Sequence, residues 1–102
     1  MAAPGCRDHR VNGHSLKFCV DETGSTNVDV RLSTSSTSNL NWSMHLERFV
    51  NGKRTVIGTR DGFVRNNSAS HRQFTGVGRQ NASMRVTLLI AGQTLRSPTW
   101  TR

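Results

Sequence analysis

Apolar and polar residues alternate along this chain in short runs. Leu16, Phe18 and Val20 alternate with Lys17 and Cys19, and Val28, Val30 and Leu32 with Asp29, Arg31 and Ser33. Successive side chains of an extended chain point to opposite faces, so each run predicts a half-buried strand. Leu40, Trp42, Met44 and Leu46 alternate with Asn41, Ser43, His45 and Glu47, and the run leads through Phe49-Val50 to Asn51-Gly52. Asn-Gly accepts the positive φ angles of a type I′ turn, so residues 53–59 are expected to return as the partner strand. A two-residue loop would set Leu46 opposite Ile57 and Met44 opposite Thr59. Asp61-Gly62 predicts another turn, followed by a short Phe63-Val64 strand. Residues 73–78 read as a strand ending in glycines. Met84, Val86, Leu88 and Ile90 form the most apolar strand, and residues 94–97 a last short one before Pro98.

No 3.6-residue period persists for three turns. About seven short strands with turn residues between them predict an all-β, small antiparallel sandwich, immunoglobulin-like in style, with a small barrel as the alternative. At 102 residues there is room for one core. The expected division is an N-terminal arm over 1–14 and a sandwich domain over 15–102. Phe18, Trp42, Phe63 and Phe74 are assigned to the core, Glu47 and His45 to the wet face, and His71 to a polar loop. Phe49 and Trp100 remain as candidate exposed aromatics.

Charge adds a direction. Fourteen basic residues face six acidic ones, for a net charge of +8. After Asp29 only Glu47 and Asp61 oppose the basic residues, so the positive field belongs to the last two-thirds. Such a field suits an acidic protein face or a polyanion. Arg48, Arg54, Arg60, Arg65, Arg72, Arg79 and Arg85 are the candidate polyanion-binding set. No apolar stretch approaches the roughly 20 residues that a spanning helix needs, so no membrane insertion is expected.

Cys6 and Cys19 have two readings. In an exported protein they form a disulfide tying the leading segment to the first strand, contributing about 3 kcal/mol by loop entropy. Alternation points Cys19 away from the core, toward an arm crossing the outside. The second reading adds His9 and His14 to give C-x2-H-x4-H-x4-C, with Gly13 before the second His. This spacing resembles the zinc knuckle of nucleocapsid-type proteins, which implies a tetrahedral zinc and single-stranded nucleic acid. It departs from that pattern at His9, where the knuckle has Cys, and at Arg7, where it carries an aromatic. The disulfide is favoured, with no metal or cofactor.

The chain offers no strand–elbow–helix nucleophile, no phosphate-cradling glycine loop, and no carboxylate pair that stands out. Catalysis is therefore not expected, although His45 or His71 in a pocket beside a buried carboxylate would argue for it. The start Met-Ala-Ala-Pro-Gly fits a mature secreted chain whose signal peptide is already gone. In composition the chain is similar to small, arginine-rich, single-disulfide proteins exported by bacteria, some of them adaptors in toxin or envelope assemblies and others inhibitors. The expectation is an extracellular, non-enzymatic protein-binding module with no small-molecule substrate. Its contacts would be the hairpin tip Phe49, Val50, Asn51, Gly52, Lys53 and Arg54, together with Trp100 and a sheet edge. The alternative is a basic antimicrobial or nucleic-acid-binding protein. Asn41, Asn66 and Asn81 match the N-glycosylation acceptor pattern.

Overall fold

The structure, a computed structural model, describes residues 3–102. Among these described residues, nine strands form two antiparallel sheets. The first sheet contains β1 (Gly5–Val11), β2 (His14–Thr23), β3 (Asn27–Thr34) and β6 (Ser70–Phe74), in the order β1-β2-β3-β6. The second contains β4 (Leu40–Val50), β5 (Lys53–Val64), β7 (Ser83–Ile90) and β8 (Gln93–Arg96), in the order β5-β4-β7-β8, with β9 (Trp100–Thr101) also on β7. The inward residues of both sheets make one core, with Leu16, Phe18, Val30 and Leu32 from the first and Trp42, Met44, Leu46, Val86 and Leu88 from the second. The fold is a β-sandwich. No backbone ladder joins β5 to β6 among the described residues, so the sheets do not close into the alternative barrel.

Residues 5–11 are more than an arm. They lie along β2 in full register, and Asn12 and Gly13 form the intervening turn with φ of 51° and 77°. Residues 1–2 lie outside the described residues. Cys6 and Cys19 are register partners in this pair and are joined in a disulfide. Both thiolates that zinc would need are thus consumed, and no metal-binding group of three or more His, Cys, Asp or Glu occurs among the described residues. The knuckle reading is overturned.

The β4–β5 hairpin turns at Asn51-Gly52 as expected, but its register slips between Leu46 and Glu47. Ile57 is the extra residue: Leu46 faces Gly58 rather than Ile57, and Met44 faces Arg60 rather than Thr59. Nor does the chain turn at Asp61-Gly62, because β5 runs on to Val64. Both glycines of this strand make room instead. A Cβ at Gly58 would stand 2.7 Å from the buried Phe74 ring, and one at Gly62 would stand 2.9 Å from the Trp42 ring. Gly58→Ala should therefore cost about 1–2 kcal/mol in urea unfolding, since neither ring nor strand can give way freely. An unchanged midpoint would show that the edge strand yields.

A third two-residue turn joins β7 to β8, with Ala91 at φ 48° and Gly92 at 79°. Ala91 occupies the position that Asn12 and Asn51 hold in the other two turns. Asparagine tolerates the left-handed region better than alanine does. Ala91→Asn should raise stability by about 0.5–1 kcal/mol, seen as a higher thermal midpoint. A lower midpoint would mean that lost packing of the Ala91 methyl outweighs the relief.

Candidate functional site

The outer face of the second sheet is ordered by register. Across β4, β7 and β8 one row holds His45, Thr87 and Arg96, and the next toward the turn of β8 holds Ser43, Leu89 and Thr94. On the other side Val56, Glu47 and Arg85 form a third row across β5, β4 and β7, and Arg54, Phe49 and Ser83 a fourth. His45, Glu47, Arg54, Arg85, Thr87, Leu89, Thr94 and Arg96 line a concavity of about 460 Å³. A second hollow, of about 410 Å³, continues it past Leu89 and Thr94 to Asn41, Ser43 and Gln93.

Glu47 sits at the bottom of the first hollow. Alternation puts it on the outward face, yet it is only 1% exposed, because the long side chains beside it close over it. Its Oε1 accepts from Thr87 Oγ1 at 2.6 Å and from Arg85 Nε at 2.9 Å, and its Oε2 accepts from Arg54 Nε. Burial pushes the carboxyl's pKa up. The hydrogen bonds from Thr87, Arg85 and Arg54 and the nearby Arg85 charge outweigh burial and bring it down to about 2. The outward residue is not a wet one.

Both arginines reach Glu47 through Nε. The Arg85 guanidinium also lies over the Phe49 ring, 5.0 Å from its centre, so it has both an anionic and an aromatic neighbour. Arg96 is exposed and makes no ion pair among the described residues. His45 lines the hollow, but its Nδ1 is enclosed and has no hydrogen-bond partner among the described residues. A carboxylate with both oxygens occupied and a pKa near 2 is a poor proton acceptor at neutral pH. His45 and the buried Glu47 do line the same hollow, and Glu47 itself is not the base there. His71 stands on β6, with Nε2 3.8 Å from the buried Asp29, and lines none of the hollows described.

The expected contact residues separate. Val50 is exposed at the tip with Asn51, Gly52 and Lys53, and Phe49 and Arg54 stand at its base against Arg85 and Glu47. Trp100 is 1% exposed: β9 pairs it with Met84 and turns its ring into the core. It cannot meet a partner. Phe63, assigned to the core, is 44% exposed, because opposite Asn41 it takes the outward parity of the second sheet.

The arginine set is also redistributed. Arg60 reaches the Gln73 carbonyl at 3.1 Å and the Phe74 ring, while Arg72 covers the Trp42 ring. These two brace the open side between β5 and β6. Arg48 donates to the Gly78 carbonyl at 2.9 Å, and Arg79 lies 3.8 Å from Glu22. Arg65 is exposed. The basic side chains are thus spread over internal contacts and do not line one track; Arg54 and Arg85 meet at Glu47, joined by Arg96. Register alone brings that group together. No sequence motif marks it.

No family model matches the chain, and no curated protein matches its sequence. Among solved structures the chain is similar to the crystal structure of a Br derivative of BhCBM56, at 8% identity and a TM-score of 0.45, over 93% of this chain and 96% of that one.

Proposed function

We propose that the protein is an exported, non-catalytic binding module that docks an acidic segment of another protein on the outer face of the second sheet. One observation carries this reading. Among the described residues the exposed large apolar ones are Val50, Val56, Phe63 and Leu89: three of them lie on the β4–β5 hairpin, and Val56, Phe63 and Leu89 on that outer face. None of these four belongs to the first sheet. Apolar contacts rimmed by fixed charges suit a protein partner. Strand β5 adds twelve residues of edge backbone beside them. The disulfide fits an oxidising compartment, and no helix among the described residues is long and apolar enough to cross a membrane.

The test places a photocrosslinking residue at Phe63, or at Arg31 on the outer face of the first sheet, and incubates each protein in medium from the producing cells. A protein adduct that forms from position 63 and not from 31 supports the reading, provided that salt slows its formation. Equal adducts from both positions would overturn it. So would capture of nucleic acid with a steep linear loss in log salt, which is the signature of phosphate contacts.

A further inference from the structure

We infer that Arg54, Arg85 and Arg96 form a preorganised oxyanion site on this face, and that it takes a carboxylate side chain of the docking partner. The inference rests on the proposed docking face and names its anchor. Glu47 occupies the Nε groups of Arg54 and Arg85, one on each carboxylate oxygen. The terminal Nη groups of both guanidiniums are left without a protein acceptor among the described residues. The Phe49 ring lies beneath the Arg85 guanidinium carbon, 5.0 Å away at its centre. A guanidinium whose Nε and face are already committed loses little freedom when its Nη groups meet an anion. Arg96 lines the same hollow with no acidic partner among the described residues, so three cations and one buried anion share it. The excess of two positive charges is focused in a cleft.

The surroundings choose among oxyanions. Leu89 forms part of the wall and Val56 lies in the row of Glu47, both partly exposed. An acidic residue flanked by apolar ones satisfies both features, whereas a phosphate chain would leave the apolar wall unused. A guanidinium fork matches a planar carboxylate in bidentate fashion.

The experiment follows the arginine side-chain nitrogens by NMR in the oxidised full-length protein during titration with sodium acetate, an acetylated Leu-Glu-Leu peptide, and sodium phosphate. The expected result is saturable movement of the Arg85 and Arg96 signals, with the peptide tighter than acetate. Arg96→Gln, an exposed change that spares the fold, should weaken the peptide about tenfold and leave the backbone spectrum intact. No saturation with acetate or peptide, or equal affinity in Arg96→Gln, would overturn the site even where the crosslink at position 63 succeeds. Phosphate binding tenfold tighter than the peptide would overturn the carboxylate assignment. Saturation by the peptide in a protein that gives no crosslink would leave the site standing and remove the docking partner.

Discussion

Glu47→Gln is expected to lose about 2–3 kcal/mol of stability at pH 7 and almost nothing near pH 2. The wild-type carboxyl has its pKa lowered from 4.5 to about 2, so the folded state holds its proton less tightly than the unfolded chain does. Stability contributed this way is fully present above about pH 5.5. It falls as the pH drops from the unfolded value toward the folded one, and is gone below about 2. Lowering the carboxyl from 4.5 to about 2 corresponds to about 3 kcal/mol at most. Arg54 is half exposed and regains water when its partner is neutral, which lowers the loss. Arg85, 24% exposed and covering Phe49, recovers less. Urea unfolding of both proteins at pH 7, 4 and 2.5 measures the difference. Curves that stay parallel with pH, or a gap under 0.5 kcal/mol at pH 7, would show that the ring of donors does not bind the charge as described.

The same residue shows what an alternating pattern can and cannot reveal. Period two correctly assigned Leu40, Trp42, Met44 and Leu46 inward and Glu47 outward, because a sandwich has one dry face per sheet. It could not show that Arg54, Arg85 and Thr87 would close over Glu47, since two of these come from β7, far along the chain, and meet Glu47 only through cross-strand register. Ile57 had a smaller but similar effect: one bulged residue displaced the expected pairing from Ile57 to Gly58 and from Thr59 to Arg60. Strand β1 escaped notice because Cys6-Arg7-Asp8-His9-Arg10 has no apolar alternation; it is an edge strand, exposed over much of its length. The Asn12-Gly13 dipeptide was its one legible signal. Conversely, Asp61-Gly62 has turn composition for a different reason: its glycine clears the Trp42 ring in the middle of a strand. Aromatic residues cannot be sorted by type alone. Trp100 was drawn inward by two residues of pairing with β7, and Phe63 was turned outward by parity.

Arg102→Ala is expected to cost more than Glu47→Gln, about 3–4 kcal/mol, because its side chain is fully enclosed and ties the two sheets together at one end. Its guanidinium donates to the Val77 carbonyl at 2.7 and 3.2 Å, to the Ser25 carbonyl at 3.0 Å, and to the Glu22 carboxylate. Ser25 and Glu22 belong to the β2–β3 end of the first sheet, whereas the Arg102 backbone pairs with Ala82 at the entry to β7. Truncation would strand buried carbonyls without a donor and leave Glu22 with Arg79 alone. Arg79 is 56% exposed and 3.8 Å away, so it can replace little of that contact. Arg79→Ala should accordingly change stability by under about 0.5 kcal/mol, and the contrast between the two arginines is the informative quantity. Arg102→Lys keeps the charge but cannot reach three acceptors from one planar group, and should recover less than half of the loss. Full recovery in the lysine variant would mean that charge near Glu22, rather than the fork joining loop 75–82 to the first sheet, holds this end of the sandwich closed.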